Sequence, residues 1–263
     1  MSSSCLRGRR ISEVEPYEYE TLFNAETSYW WFRALHAIVR EALLETGLTS
    51  ASSVLDAGCG TGQNLVSLVE HNNLEAFGFD ISTHAASFWP RRGLTRVCVS
   101  SVNEIPFMDE SFDVVVSVDV LECKAVDEIA AYSEMWRVLK PGGILLLVVP
   151  AYEWLLSEDH HKAVGASRRY SRRRLVDLLK MKPVQIIRMT NLFSSAFPLV
   201  VAYRLLQPYF KRKTASPPRS DLKPLPGFLN ELLFNIANFE KGILKTFDLP
   251  FGSSILAVVR KVV

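Results

Sequence analysis

Short apolar runs separated by helix-like segments dominate the centre of the chain. The runs at 112–118 and 144–149 are apolar on both faces, which is typical of buried parallel strands. Strands that alternate with helices predict an α/β fold with a largely parallel sheet. The runs lie at 52–57, 75–80, 95–99, 112–118 and 143–149.

The two flanks of this central pattern are mostly helical. Residues 17–48 predict two helices with a break near Thr27-Ser28, beside the aromatic run Tyr29–Phe32. Pro141-Gly142-Gly143 predicts a sharp turn after a helix that ends in Val138–Lys140. Beyond Pro150 the pattern predicts a polar loop at 151–167, a helix near 171–181 with Ser171 as N-cap, a strand near 183–190, helices at 193–210 and near 228–246, and a last strand at Ser254–Arg260.

This pattern divides the chain into a main domain with two helical additions. We expect a tail at 1–15, an N-terminal helical lid at 16–50, and a main domain at 51–263. A helical cap is expected as an insertion at about 191–248, with a Pro-, Ser- and Lys-rich linker at 211–227.

Composition narrows the class of protein. The chain has 263 residues, 48% hydrophobic and 22% charged, which is typical of one large globular domain. A net charge of +2 gives no support for a nucleic-acid partner. The four cysteines form no CxxC pair, so neither a disulfide framework nor a metal site is expected. Because no signal peptide and no span of roughly 18 apolar residues is found, we expect a cytoplasmic location.

A glycine-rich turn carries the first chemical signal. Gly58, Gly60 and Gly62 follow the first apolar run and precede a helix that starts near Gln63. Glycines let the backbone bend tightly and let a ligand approach closely. Asp80, at the end of the second run, suits hydrogen bonds from both hydroxyls of a ribose. A tight turn without a ligand is the simpler alternative. A dinucleotide is disfavoured, because its GxGxxG spacing is not met.

With these residues, the stretch from Val54 to Pro150 resembles the class I (Rossmann-like) S-adenosylmethionine-dependent methyltransferases. VLDAGCGTG resembles their first motif and GFDIS their second, and SVNEIPFMDESFDVVVSVDVLE and LKPGGILLLVVP resemble later ones. The resemblance implies a seven-stranded sheet of order 3-2-1-4-5-7-6 whose last strand is antiparallel. It implies S-adenosylmethionine as cofactor, bound by Asp56, Gly58, Cys59, Gly60, Asp80, Ile81, Ser101, Val102 and Asp119.

Both ends of the chain also resemble a bacterial subfamily of these enzymes. Its segments are seen here as Trp30-Trp31-Phe32-Arg33, as the loop Ser157–Tyr170 and as Leu249–Ser254. This resemblance implies Trp31 and Arg33 at the cofactor and Tyr170 among the catalytic residues. Ala166 and Cys123 stand where many relatives have histidine, so the usual substrate chemistry of the subfamily is not implied.

Methyl transfer needs a general base only when the acceptor must lose a proton. His160 and His161 are candidates because they lie in the loop after the fifth strand and titrate near neutrality. Glu122 and Asp159 are further candidates. Two solvent-exposed loop histidines, and a Glu122 that anchors the loop, are the alternatives.

The segments after Pro150 predict the kind of acceptor. Five arginines between Arg168 and Arg174 are a candidate anion site, a patch against anionic lipid, or a solvated helix start. The apolar stretch 193–210 suits a cap over a hydrophobic pocket or a peripheral membrane contact. We therefore expect an enzyme that methylates an O, N or C atom of a small, largely apolar acceptor in specialised or lipid metabolism. A protein or nucleic-acid methyltransferase and a non-catalytic cofactor-binding protein are the alternatives.

Overall fold

A seven-stranded sheet forms the centre of the computed structural model, which describes residues 16–72, 74–156, 165–210, 222 and 225–262. The strand order is β3-β2-β1-β4-β5-β7-β6, and only β7 runs antiparallel to its neighbours. The predicted fold class and strand order are confirmed. The strands are β1 (Ser53–Ala57), β2 (Glu75–Asp80), β3 (Val97–Val99), β4 (Phe112–Val118), β5 (Leu139–Pro150), β6 (Val184–Leu192) and β7 (Ser254–Lys261).

Eight α-helices among the described residues accompany the sheet. The predicted break between the first two helices is confirmed, and Ser171 caps its helix as predicted by accepting a hydrogen bond from the Arg174 amide at 3.1 Å. The helices are α1 (Pro16–Ala25), α2 (Trp30–Leu44), α3 (Gln63–Asn72), α4 (Thr83–Ala86), α5 (Glu128–Val138), α6 (Arg172–Leu179), α7 (Phe197–Phe210) and α8 (Gly227–Leu244).

Helices cover both faces of the sheet because alternate strand residues are apolar on both sides. On one face α5 and α6 pack against residues such as Val115, Leu145 and Leu147. On the other face α2 and α8 pack against Val116 and Leu146. The result is a three-layer α/β/α arrangement whose core lies on both sides of the sheet.

Three segments differ from the expected boundaries. The helix expected at 193–210 begins only at Phe197, and the other two differences lie before and within β5. The helix before the fifth strand ends at Val138, not Lys140, because Leu139 already pairs with Phe112 in the sheet. The turn at Pro141-Gly142-Gly143 lies inside β5 as an irregularity, since the pairing of β4 with β5 skips from Phe112/Leu139 to Val114/Ile144. Gly142 has a φ of 75°, which suits glycine there.

The helical additions have distinct positions in the chain. Helices α7 and α8 are inserted between β6 and β7, where the cap is expected. α2 packs on the sheet and on α8. The predicted tail at 1–15 lies outside the described residues, as do 157–164 and most of the linker at 211–227. Over the part of the chain that is described, no helix combines the length and apolarity needed to cross a membrane.

Candidate functional site

A cavity of about 750 Å³ opens at the edge where β1, β2, β4 and β5 end. Ligands of open α/β sheets bind outside the carboxyl ends of the strands, and ligand pockets measure about 300–1,000 Å³. One end of the cavity is polar and lies over the glycine turn. The other end is apolar and aromatic, with contributions from α2, α7 and α8.

The glycine turn between β1 and α3 is fixed by contacts to β2. The amides of Gly58 and Cys59 both donate to the carbonyl oxygen of Phe79, at 3.0 and 2.9 Å. Gly58 has a φ of 86°, and a Cβ there would lie 2.5 Å from the Val120 side chain. Any larger residue at Gly58 therefore strains the backbone and collides with a wall of the cavity.

Asp80 stands at the tip of β2 and joins the glycine turn to the next loop. Its carboxylate accepts hydrogen bonds from the amides of Gly60 and Ser82, each at 2.9 Å. Burial nevertheless raises the pKa of Asp80, although these amides oppose the shift. The carboxylate is thus held in one orientation at the cavity wall.

Asp56, at the end of β1, is a second buried carboxylate of the cavity wall. Asn64 donates to it from Nδ2 at 3.1 Å. Burial raises its pKa to about 7, and the nearby carboxylates of Asp80 and Glu26 add to the rise. A cation that enters the cavity would favour the ionised form of Asp56.

Asp119 and Glu122 form an acidic pair beside β4. Asp119 directly follows the strand in a left-handed conformation with a φ of 52°, which is uncommon outside glycine. Burial raises its pKa to about 7, while the positive charge of Arg169 opposes the shift. Burial and the charge of Asp119 raise the pKa of Glu122 well above its usual value. Oε2 of Glu122 is buried and has no hydrogen-bond partner among the described residues.

Aromatic side chains line the other end of the cavity. Trp30 meets Phe193 edge to face at 5.8 Å between ring centroids, and Trp31 lies 5.6 Å from the same ring. Phe193 follows β6 with a φ of 61°, and its ring contacts both tryptophans. This wall excludes water and offers apolar contact area to a ligand.

A buried ion pair ties the N-terminal helices to the glycine turn. Glu26, in the turn between α1 and α2, accepts hydrogen bonds from the hydroxyl of Thr61 and, at 2.6 Å, from Nη2 of Arg92. Side-chain exposure is 6% for Arg92 and 12% for Glu26. The turn before α2 is therefore anchored to the site by a desolvated contact.

Replacing Arg92 by methionine is expected to lower the free energy of unfolding by about 2 kcal/mol, because a buried pair loses one partner. We expect less than the 3–5 kcal/mol usual when a buried ion pair loses one partner. Burial already raises the pKa of Glu26 to about 7, so the carboxylate left without Arg92 can be neutralised by protonation. Denaturant unfolding measures the change. Arg96→Met is the matched control, since the Arg96–Glu75 pair is exposed. Equal losses in both variants would contradict the anchor.

Most of the predicted site residues come together around this cavity. Arg33 and Tyr170 do not line it. Arg33 pairs with Glu231 and lies over the Phe234 ring at 3.8 Å, and the buried Tyr170 hydroxyl donates to Glu128 at 2.7 Å. His160, His161 and Asp159 lie outside the described residues. The lining includes Asp56, Gly58, Cys59, Gly60, Asp80, Ile81, Ser101, Val102, Asp119, Glu122 and Trp31.

His36 is a cavity residue that the sequence analysis missed. It lies one turn after Phe32 on α2, and the two rings are 6.3 Å apart. Burial and the charge of Arg92 lower its pKa to about 4, so the imidazole is neutral at physiological pH. The only available signal was its place in the helix that begins with the aromatic run.

Comparison with known proteins agrees with this geometry. Residues 55–147 match the family model of a methyltransferase domain. Cycloartenol-C-24-methyltransferase of Arabidopsis thaliana is 30% identical over 136 residues, 46% of this chain and 39% of that protein. A probable S-adenosylmethionine-dependent methyltransferase of Mycolicibacterium smegmatis is 32% identical over 130 residues, 48% of this chain and 47% of that protein. The matched part of the chain thus spans less than half of each of these relatives.

A solved structure of geranyl diphosphate methyltransferase in complex with S-adenosylmethionine has the same fold. Its TM-score is 0.55 at 17% identity, over 85% of this chain and 84% of that one. Strand order, glycine turn and family match together identify a class I, Rossmann-like methyltransferase domain. The chain carries this domain at its centre, with residues 55–147 matching the family model. The bacterial subfamily stays a prediction.

Proposed function

We propose that this protein transfers a methyl group from S-adenosylmethionine to a small, largely apolar acceptor. The observation that carries the proposal is the single cavity that joins the acidic glycine turn to the aromatic wall. One end suits the donor and the other suits an apolar acceptor, so both can meet in one cavity.

The residues of the polar end fit S-adenosylmethionine better than a phosphate ligand. Asp56, Asp80 and Asp119 all line this end. Carboxylates repel a pyrophosphate but attract the amine and sulfonium of the cofactor. In this assignment Asp80 holds the ribose and Asp56 lies at the methionine portion. Bound there, the cofactor supplies an electrophilic methyl group.

The residues of the chain then position the acceptor, exclude water from the cavity and accept a proton where the reaction requires it. The wall formed by Trp30, Trp31 and Phe193 excludes water and orients an apolar acceptor. Where an acceptor must lose a proton, Asp119 can take it, because it lines the cavity and its pKa of about 7 leaves part of it ionised near neutrality. Glu122 and His36 also line the cavity, but the raised pKa of Glu122 favours its protonated form and the lowered pKa of His36 makes the imidazole a weak base. His160 and His161 remain candidates from the sequence. In this proposal Tyr170 is a positioning residue, because its hydroxyl forms hydrogen bonds with Glu128 and with the carbonyl of Leu121.

The acceptor class is proposed as a lipid or another apolar metabolite. The Arabidopsis relative is named as a methyltransferase of cycloartenol, and the structural neighbour as one of geranyl diphosphate. The apolar end of this cavity, with Leu199, Val200 and Leu233, suits molecules of similar character. A cytoplasmic location is part of the same proposal.

Calorimetry with S-adenosylmethionine, followed by turnover to S-adenosylhomocysteine, tests the proposal. The acceptor panel should contain amines, phenols, indoles, prenyl compounds and sterols. Absence of cofactor binding would overturn the assignment of the donor. Binding without turnover of any small acceptor, together with turnover of protein or nucleic acid, would overturn the assignment of the acceptor.

Substituting Val200 by asparagine should raise KM for the accepted small molecule about tenfold, because a polar amide replaces apolar lining. Affinity for S-adenosylmethionine should stay within twofold of wild type. Val99→Asn is the matched control, because Val99 is 49% exposed and lies in the edge strand β3. An unchanged KM in Val200→Asn would place the acceptor elsewhere.

A further inference from the structure

Helix α8 presents an apolar stripe to solvent. Each side chain of the stripe is exposed, Phe228 by 77% and Phe239 by 73%. The residues recur at intervals of three or four, which places them on one face of the helix. The stripe consists of Phe228, Leu232, Ile236, Phe239 and Ile243.

The opposite face of α8 is already in use. Ala237, Glu240 and Leu244 are buried, and Glu240 accepts hydrogen bonds from the amides of Ser194 and Ser195. The helix is therefore held in place by its inner face, while the stripe faces solvent. Apolar patches of this kind on a protein surface mark a docking site.

The stripe is close to the proposed acceptor end of the cavity. Leu225 and Leu233, just before and within the same helix, line the cavity. Leu199 of α7 also lines it and is 66% exposed, while Leu205 and Leu206 of α7 are 61% and 51% exposed. Apolar surface thus extends from the cavity lining to the outside of the cap helices.

Charge in the sequence favours one occupant of the stripe. The residues that join α7 to α8 have basic side chains at five positions against a single acid, Asp221; the basic residues are Lys211, Arg212, Lys213, Arg219 and Lys223. Cationic sequence next to an exposed apolar helix face is attracted by anionic headgroups, while the apolar side chains enter the acyl boundary.

We propose that the apolar stripe of α8 docks on the surface of an anionic phospholipid bilayer. The helix lies in the plane of the interface, with its inner face kept on the protein. That this contact delivers an apolar acceptor to the cavity rests on the proposed function, whereas the docking itself does not. The substrate would then be a molecule dissolved in the membrane.

Sedimentation of the full chain with vesicles tests the docking. The wild type should sediment with vesicles of phosphatidylcholine mixed with phosphatidylserine, at least tenfold more strongly than with phosphatidylcholine alone. Phe228→Ser/Phe239→Ser should lose at least tenfold in binding. The double variant Met108→Ser/Met181→Ser is the matched control. Both side chains are exposed, and they lie just before β4 and β6, at the amino ends of these strands and away from the cavity. It should bind as the wild type does.

Several results would overturn the docking. One is a wild type that stays in the supernatant with both kinds of vesicle, and another is a Phe228/Phe239 variant that sediments like the wild type. A third is a wild-type dimer, seen by light scattering, that this variant converts to monomer without any vesicle binding, since a second copy would then cover the stripe. Thermal unfolding should show that both double variants fold. Calorimetry with S-adenosylmethionine separates a failure of docking from a failure of the proposed function.

Discussion

Replacing Asp80 by alanine is expected to weaken S-adenosylmethionine binding at least a hundredfold. In the proposed complex, two ribose hydroxyls donate hydrogen bonds to the Asp80 carboxylate, and a hydrogen bond to a charged acceptor contributes about 1.5–3 kcal/mol. The loss of both corresponds to a factor of about a hundred or more in affinity. The substitution also removes the acceptor that braces the amides of Gly60 and Ser82. Isothermal calorimetry measures the change directly.

Glu75→Ala is the matched control for Asp80→Ala. Glu75 begins the same strand, and its side chain is 50% exposed in a pair with Arg96. Its removal should leave cofactor affinity unchanged. Asp80→Asn should fall between the two, because an amide keeps one acceptor oxygen. Wild-type affinity in Asp80→Ala, with a normal thermal unfolding curve, would remove Asp80 from the cofactor site.

Affinity for S-adenosylmethionine should rise between tenfold and a hundredfold from pH 6 to pH 8. Burial raises the pKa values of Asp56 and Asp119 to about 7 in the free protein, so both are largely protonated at pH 6. A cationic ligand favours the ionised carboxylates, and the cost of deprotonating each one falls as pH rises through its pKa. Each carboxyl contributes about tenfold over this interval.

Two comparisons sharpen the pH prediction. Asp56→Asn should bind more weakly than wild type at pH 8 and show a shallower pH dependence, because one titrating group is gone. S-Adenosylhomocysteine has no sulfonium charge, so its affinity should depend less on pH than that of the donor. An affinity that falls from pH 6 to pH 8 would mean that neither carboxyl faces the positive charge.

The sheet was predictable because its strands are buried on both faces. Val114–Val116 and Leu145–Val149 are apolar throughout, and such runs differ plainly from amphipathic helices. The glycine turn and Asp80 were predictable for a related reason. They follow strands directly, so the end of a strand fixes where they lie.

The rest of the site depends on contacts between distant parts of the chain. Arg33 was expected at the cofactor, but Glu231 and Phe234 of α8 hold its side chain. Tyr170 was expected among the catalytic groups, but its pairing with Ala151 places the ring in the core. His36 was missed because the sequence of α2 does not tell which face meets the cavity.

The position of β7 has a consequence for how the protein assembles. This strand lies between β5 and β6, yet it follows α7 and α8 in the chain. During synthesis β6 has no partner until both cap helices have left the ribosome and β7 arrives. Sheet completion is thus a late step with large sequence separation, and such steps are slow. A chain synthesised only as far as the cap helices would expose the edge of β5 that later pairs with β7, and all of β6. Chaperones are therefore expected to bind the chain while the cap is being synthesised.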